Sequence, residues 1–320
     1  MNITVLGCGR WGSFLAWYHA RKNTVTLWGR EQSRGYRQLA ETSKNEYVTL
    51  THNVALTSSL SDALAASEII VISISAQQLR DLATEINKNA VKGKTFILCM
   101  KGIEADTGFR LTEVFKQCVT QNVKLAVWVG PGHVQDFTRE IPNCMVVDSD
   151  DRDTVDYIVD TFNTDLIRLY KGNDIVGTEL GAAAKNVIGI AAGMLDGRNI
   201  SSLKGALMAR GAREVARLMK AMGANELSAY GLCHLGDYEA TLFSPHSHNR
   251  RFGEAFIKGE PYKELAEGVP TSKALVKLGE KYGVDLPISK TIYGIVYENK
   301  DADAELKKLF ARSVKGEFDT

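Results

Sequence analysis

The residue with the clearest chemical potential is a lysine in an apolar setting. Lys185 lies within 181–189, a run of small and apolar residues with helical spacing. Burial in such a helix disfavours the ammonium and lowers the pKa of the lysine toward neutrality. A lysine of that kind can exchange the hydroxyl proton that accompanies hydride transfer at an alcohol carbon. The alternative is a lysine that extends to solvent or pairs with an acid such as Glu179.

Two further polar groups follow predicted strands. Lys101 comes directly after the strand-like run 95–100, and Gly-Pro-Gly-His at 130–133 follows the run 125–129. The carboxyl ends of parallel strands form the ligand-binding edge of a sheet, and the free N–H groups of the glycine turn can hold an anion there. Lys101 would then meet substrate, although a loop lysine in water has the same spacing.

A polar and basic region covers 236–241 and 247–253, between apolar helical stretches. Such a cluster suits a phosphate group, and a solvated charged face is the alternative. Arg250 and Arg251 are adjacent, so on a helix at most one of them reaches a shared ligand. The nearby His-x-His pair has no third ligand in view, and no metal site is predicted.

A glycine-rich turn opens the chain. Gly7, Gly9 and Gly12 match G-x-G-x-x-G, directly after the strand 3–6 and before the helix 13–22. In that context the first glycine permits the tight turn, the second lets a pyrophosphate approach, and the third packs helix on strand. A tight turn without a ligand is the alternative. The sequence therefore predicts a dinucleotide site that uses the N-terminus of the helix.

The end of the second strand bears on the choice of dinucleotide. An acidic residue about 20 residues beyond the glycines usually binds the ribose 2′-hydroxyl of NAD. This chain has Gly29 and Arg30 there. A guanidinium can pair with a 2′-phosphate, which favours NADP over NAD. Glu31 follows and offers the alternative contact to a ribose.

Strand and helix patterns alternate in the first half, as expected for a doubly wound parallel sheet. The predicted strands are 3–6, 24–28, 69–74, 95–100, 125–129 and 144–147. Beyond about Asp174 only helical patterns remain, at 175–195, 202–222, 271–282 and 288–298. We therefore expect a dinucleotide-binding domain at 1–173 and a helical substrate and catalytic domain at 174–320.

Composition and charge exclude several classes of protein. The 39 basic and 38 acidic side chains give a formal net charge of +1, so no overall field favours nucleic acid. The five cysteines are scattered, which predicts reduced thiols in the cytoplasm. No export signal is evident after Met1. The apolar stretch 175–195 contains charged residues, so we expect a buried helix and no stable membrane insertion.

In their order these motifs resemble the NAD(P)-dependent glycerol-3-phosphate dehydrogenases over nearly the whole chain. The matching segments are 7–12, 27–30, 101–104, 129–131, 177–188, 236–237, 249–253 and 267–268. The resemblance implies an N-terminal Rossmann-like sheet and an all-α C-terminal domain. It also implies hydride exchange between NADP or NAD and sn-glycerol 3-phosphate, giving dihydroxyacetone phosphate and supplying phospholipid synthesis. Members of the family are often homodimers.

Site residues carry over from the family by position. The implied catalytic residues are Lys185, Lys101 and Asp237. The implied substrate-binding residues are Lys101, Gly130, Gly132, Lys185, Asn186, Asp237, Thr241, Ser247, His248 and Asn249. The implied cofactor-binding residues are Gly7, Gly9, Arg10, Trp11, Gly12, Arg30, Lys101, Val134, His248, Leu265 and Glu267. The Lys101 ammonium should also lower the pKa of Lys185 by repulsion.

The chain departs from the family pattern at three places. Gly132 replaces a serine or threonine, His248 replaces the first arginine of Arg-Asn-Arg, and Tyr238 replaces a leucine. An imidazole is not equivalent to a guanidinium, so either Arg250 or Arg251 compensates or the substrate differs. The alternatives are therefore an NADP-dependent reductase of another small keto-phosphate or keto acid, and a dinucleotide sensor without turnover.

Overall fold

The chain folds into two compact units in this computed structural model, which describes residues 1–311. One unit comprises Met1–Met100 and Leu111–Ile175, and the other comprises Lys101–Arg110 and the chain from Val176 onward. The first unit is a Rossmann-like α/β domain and the second is helical. This fold class is the one expected from the sequence.

An eight-stranded sheet with the order β3-β2-β1-β4-β5-β6-β7-β8 forms the centre of the first unit. The strands are β1 Asn2–Leu6, β2 Thr24–Trp28, β3 Val54–Thr57, β4 Ile69–Ile72, β5 Thr95–Leu98, β6 Lys124–Val129, β7 Asn143–Asp148 and β8 Ile167–Lys171. In β1, Ile3 pairs in parallel with Val25 on one side and Ile69 on the other. The strand order therefore reverses beside β1, and the glycine turn lies at the topological switch point where such sheets bind ligands.

Helices cover the strands of the first unit. They are α1 Arg10–Ala20, α2 Arg34–Thr42, α3 Leu60–Ala65, α4 Leu79–Asn87, α5 Leu111–Cys118, α6 Val134–Phe137 and α7 Arg152–Phe162. Buried aromatic side chains from α1, β6 and α6, such as Phe14, Trp128 and Phe137, belong to one core cluster. Phe14 and Phe137 stack at a centroid distance of 5.2 Å. This packing fixes the first turn of α1 against the sheet.

All six predicted strands are present, but the predicted sheet was incomplete. Strands β3 and β8 were not expected, and β7 runs antiparallel to β6, so the sheet is parallel except at that pair. Both missed strands are at sheet edges. In β8 the buried Ile167 and Leu169 alternate with the exposed Arg168 and Tyr170. Edge strands of this kind lack the continuous apolar run that marks a central parallel strand.

The longer elements of the second unit are all helices within its described residues, and an isolated β-bridge joins Ile103 to Arg110. Its helices are α8 Ile175–Gly197, α9 Lys204–Ala221, α10 His248–Lys258, α11 Gly268–Tyr282, α12 Pro287–Tyr297 and α13 Ala302–Phe310. Short 3₁₀ turns lie at Ser201–Leu203, Glu226–Tyr230 and Leu235–Asp237, and a π-helical turn lies at Glu239–Phe243. Helix α8 is apolar and long enough to cross a membrane, but 94% of its most apolar window is buried within the protein. The prediction of a buried helix is confirmed.

Small residues let other elements approach α8 closely. A Cβ atom at Gly193 would lie 1.9 Å from the backbone oxygen of Arg250, and one at Gly189 would lie 2.8 Å from Cγ2 of Thr241. Glycine is therefore required where α10 and the π-helical turn cross α8. These crossings bring the polar segments of the second unit to the lysine of α8.

Candidate active site

A buried cluster of two lysines and one aspartate lies in the second unit. Nζ of Lys185 is 2.7 Å from Oδ2 of Asp237, and Nζ of Lys101 is 2.8 Å from the same oxygen. The side chains of Asp237 and Lys185 are 1% and 6% exposed, whereas that of Lys101 is 25% exposed. One carboxylate oxygen therefore holds two cations, and Lys101 is the more open of the two.

The environment of Lys185 gives it the pKa of a group that exchanges protons at neutral pH. Burial lowers the pKa of Lys185 from 10.5 to about 7, the Asp237 carboxylate opposes this shift, and the Lys101 ammonium adds to it. The lowering by Lys101 was expected from the sequence and is confirmed. Lys185 does pair with an acid, as the alternative expected, but the partner is Asp237 and not Glu179, whose Oε2 lies 2.6 Å from Nη1 of Arg110.

Hydrogen bonds within the second unit position Lys101. The side-chain amide of Asn186, the residue after Lys185, donates to the backbone oxygen of Lys101 at 3.1 Å. The other end of the segment Lys101–Arg110 is held by the ion pair of Arg110 with Glu179 of α8. Both ends of the segment are thereby attached to the helix that carries Lys185.

The π-helical turn supplies a further partner for Lys185. The Lys185 ammonium donates to Oγ1 of Thr241 at 2.7 Å, and that hydroxyl donates to the backbone oxygen of Asp237 at 2.7 Å. A lysine ammonium has three N–H donors. Asp237 and Thr241 together orient two of them.

Two helix N-termini converge beside this cluster. Oδ1 of Asn249, in the first turn of α10, accepts from the backbone N–H of Gly268 at the start of α11, at 2.8 Å. Gly268 also approaches α8, since a Cβ there would lie 2.5 Å from the backbone oxygen of Asn186. Ser247 caps α10 through its hydroxyl, which accepts from the N–H of Arg250 at 3.3 Å. Helix N-termini carry partial positive charge and attract anions.

The two adjacent arginines of α10 have different partners. Nε of Arg250 lies 2.6 Å from Oδ2 of Asp196, which also binds Lys204 at 2.6 Å. The guanidinium of Arg251 instead lies 5.9 Å from the ring centroid of Tyr262, and the Tyr262 hydroxyl is 3.0 Å from Nδ1 of His248. Arg251 therefore shares a face of α10 with His248, whereas Arg250 is engaged in the interior.

The glycine turn has the geometry of a dinucleotide cradle in the first unit. Gly7 has φ +127°, and a Cβ there would lie 2.0 Å from the backbone oxygen of Ser73. A Cβ at Gly12 would lie 1.9 Å from the backbone oxygen of Gly7. Both glycines are thus required by the fold. A Cβ at Gly9 would meet nothing within 4 Å, so space is left open at the N-terminus of α1, where a pyrophosphate fits.

The other cofactor positions differ in exposure. Arg30 is exposed two residues beyond β2, and the Trp11 ring packs against Phe14 in a tilted arrangement at a centroid distance of 5.0 Å. Val134 is buried at the start of α6. In the second unit Leu265 is 55% exposed, and Glu267 precedes α11.

The structure gives a physical reason for Gly132. Its φ is +137°, and a Cβ there would lie 2.3 Å from the Phe137 ring. The serine or threonine of the family pattern would clash with that ring. The same turn contains Gly130, where a Cβ would lie 2.9 Å from Cα of Met145.

Sequence reasoning missed several polar partners of the site. Tyr262, which contacts His248, and His234, which contacts Tyr238, lie in segments without a motif. The pairing of Asp196 with Arg250 joins residues far apart in the chain. Of these residues, Tyr238 was the one marked by the sequence, because it departs from the leucine of the family pattern.

Known proteins are similar to this chain over nearly its whole length. The family described as NAD-dependent glycerol-3-phosphate dehydrogenase matches twice, with its N-terminus at residues 2–155 and its C-terminus at residues 174–307. Glycerol-3-phosphate dehydrogenase (NAD(P)+) of Chlorobium chlorochromatii (strain CaD3) is 33% identical over 333 residues, covering 100% of both chains. The protein of the same name from Thermoanaerobacter sp. (strain X514) is 33% identical over 330 residues, covering 99% of each. The crystal structure of glycerol-3-phosphate dehydrogenase from Coxiella burnetii superposes with a TM-score of 0.91 at 26% identity, covering 97% of this chain and 99% of that one.

Proposed function

The chain belongs to the NAD-dependent glycerol-3-phosphate dehydrogenase family, and we propose that Lys185 is the proton-exchanging group of its reaction. The enzyme is an oxidoreductase that interconverts sn-glycerol 3-phosphate and dihydroxyacetone phosphate with NAD(P). The observation that carries the role of Lys185 is its buried ammonium, 2.7 Å from Asp237 and with a pKa of about 7.

The proposed chemistry assigns a task to each member of the cluster. In the oxidative direction neutral Lys185 accepts the C2 hydroxyl proton while hydride leaves C2, and in reduction protonated Lys185 returns that proton. Lys101, as a partly exposed cation, stabilises negative charge developing on the C2 oxygen. Asp237 keeps both cations in place. A nicotinamide cofactor, when bound, would supply the hydride acceptor or donor.

The substrate phosphate is assigned to the convergent N-termini of α10 and α11. Asn249 links the two helix ends, and Asn186 lies on the adjoining turn of α8. His248 and Arg251 add donors on the exposed face of α10. The remaining substrate positions of this proposal are Gly130, Gly132, Thr241 and Ser247.

The cofactor is assigned to the glycine turn of the first unit, with NADP preferred over NAD. The open space at Gly9 suits the pyrophosphate, and the exposed guanidinium of Arg30 suits a 2′-phosphate. Arg30→Ala should weaken NADPH binding far more than NADH binding, with Lys88→Ala as the control for loss of an exposed cation. Equal losses for both cofactors in Arg30→Ala would refute the preference.

The setting of the enzyme is also part of the proposal. We assign residues 1–173 to cofactor binding, apart from the substrate positions Lys101, Gly130 and Gly132, and 174–320 to substrate and catalysis. We place a homodimer in the cytoplasm, where the product supplies phospholipid synthesis. The five free cysteines are compatible with a reducing compartment. A sedimentation experiment tests the dimer.

The role of Lys185 is tested by Lys185→Met. Loss of the proton-exchanging group should lower kcat by about 10²–10⁴-fold, while NADPH still binds. Lys204→Met is the matched control, because it also removes a buried, ion-paired ammonium of the second unit without touching Asp237. A Lys185→Met enzyme within about tenfold of wild-type kcat would exclude this role.

A further inference from the structure

A buried histidine and a buried tyrosine flank the aspartate of the cluster in the sequence. His234 and Tyr238 are both 0% exposed, and Asp237 lies between them at the end of the 3₁₀ turn Leu235–Asp237. The Tyr238 hydroxyl is 2.7 Å from Nε2 of His234, and Nδ1 of His234 is 2.9 Å from the backbone oxygen of Gly181. The mechanism above uses neither side chain.

The partners determine the direction of each hydrogen bond. A backbone carbonyl only accepts, so Nδ1 of His234 carries the proton and donates to Gly181. Nε2 of the neutral ring is then an acceptor, and the Tyr238 hydroxyl donates to it. The result is a directed chain from Tyr238 through His234 to α8.

This chain of hydrogen bonds ends one helical turn from the reactive lysine. Gly181 precedes Lys185 by four residues in α8, so both lie on the same face of the helix. The approach is close, since a Cβ at Gly181 would lie 3.0 Å from Cβ of His234. On the other side, a Cβ at Gly211 of α9 would lie 2.9 Å from the Tyr238 hydroxyl. The pair thus fills the space between α8 and α9 beside Asp237.

We propose that His234 and Tyr238 are positioning residues that hold the Asp237 carboxylate against Lys185 by anchoring its turn to α8. The proposal rests on the proposed role of Lys185. Neither residue touches the reacting atoms, and both act through Asp237. Movement of about 1 Å at a catalytic contact is enough to cost a large factor in rate.

The anchor keeps its charge state while the lysine titrates. Burial lowers the pKa of His234 to about 4, with the Lys185 ammonium lowering it and the Asp237 carboxylate raising it. Burial and the Glu214 carboxylate raise the pKa of Tyr238 well above 10.0. Both groups are therefore neutral around pH 7, and the hydrogen-bond directions do not change there.

The test is Tyr238→Phe, which removes one hydroxyl and leaves Nε2 of His234 without its donor. We expect kcat for dihydroxyacetone phosphate reduction to fall about ten- to a hundredfold with little change in KM. Loosening Asp237 removes the partner that raises the pKa of Lys185, so the alkaline limb of the pH profile should move to lower pH. Tyr230→Phe removes the hydroxyl of a tyrosine that is 46% exposed and serves as the control.

A double variant separates positioning from stability. His234→Leu with Tyr238→Phe removes the buried acceptor together with its donor, so Tm should recover relative to Tyr238→Phe. Replacement of His234 also removes the bond of the turn to Gly181, which Tyr238→Phe alone retains, so the pH limb should stay displaced at least as far. The proposal is overturned if the double variant recovers both Tm and the alkaline limb of the wild-type pH profile. It is also overturned if that limb does not move in Tyr238→Phe. A wild-type enzyme without a limb near pH 7 would instead refute the role of Lys185.

Discussion

Gly9 offers a substitution that separates cofactor binding from folding. A Cβ at Gly9 would meet no atom within 4 Å, and its φ of −75° is open to any residue. The first and third glycines of the motif differ, because Cβ atoms there would lie about 2 Å from backbone oxygens: 2.0 Å at Gly7 and 1.9 Å at Gly12. Gly9→Ala should therefore leave folding nearly unchanged and weaken binding of the dinucleotide.

The expected magnitudes follow from these contacts. Gly9→Ala loses a favourable helix cap and gains from a less flexible unfolded chain, so the free energy of unfolding should change by less than about 1 kcal/mol. Its methyl group occupies the space assigned to the pyrophosphate and should raise the Kd for NADPH at least about tenfold, or 1.4 kcal/mol. Gly12→Ala forces backbone apart and should cost about 1–3 kcal/mol of stability.

The assays are urea unfolding of the free protein and NADPH titration followed by nicotinamide fluorescence. The paired variants should give opposite patterns, with Gly9→Ala folded and weak in binding and Gly12→Ala destabilised. Wild-type NADPH affinity in Gly9→Ala would show that the pyrophosphate does not pack at Gly9. A destabilisation of Gly9→Ala as large as that of Gly12→Ala would contradict the open space described for this turn.

Four further substitutions test other parts of the structure. Burial lowers the pKa of His19 to about 3, below the ordinary 6.5, so its contribution to stability is present above pH 6.5 and is lost as the pH falls toward 3. Linkage gives a loss of about 2 kcal/mol in the free energy of unfolding at pH 5. In urea unfolding, His19→Phe should therefore reduce the difference in stability between pH 7 and pH 5 by that amount. An unchanged difference would show that His19 is not buried in its neutral form. Gly132→Ser, which restores the family residue, should lower stability by about 1–3 kcal/mol because of Phe137, and an improved KM without loss of Tm would contradict the clash. Arg250→Ala should cost about 2 kcal/mol through its lost bond to Asp196, whereas Arg251→Ala should leave Tm nearly unchanged; similar Tm losses would refute the distinction.

Local patterns predicted most of the sheet and the glycine turn. The glycine turn with Gly7, Gly9 and Gly12 follows strand β1 directly, and its geometry depends on steric rules that act within a few residues. The edge strands β3 and β8 escaped prediction because neither has a continuous buried run: no residue of β3 is fully buried, and buried and exposed residues alternate in β8. The antiparallel direction of β7 is a property of chain topology, which strand periodicity does not encode.

The site was predictable only in part. The run around Lys185 identified a buried lysine, but its partner depended on which distant acid the fold brings near, and geometry selected Asp237 in place of Glu179. Resemblance to the family supplied Lys101 and Asp237, which composition and spacing alone could not assign. The contact of His248 with Tyr262 joins residues 14 positions apart and required the structure.

The pH dependence of kcat/KM tests the central claim most directly. Because burial places the pKa of Lys185 at about 7, kcat/KM for reduction of dihydroxyacetone phosphate should fall as the pH rises through 7, and kcat/KM for oxidation of sn-glycerol 3-phosphate should rise over the same range. The two pH profiles should have the same midpoint, and neither change should be present in the residual activity of Lys185→Met. Limbs near pH 10, or limbs at neutral pH that persist in Lys185→Met, would contradict the assignment of Lys185 as the proton-exchanging group.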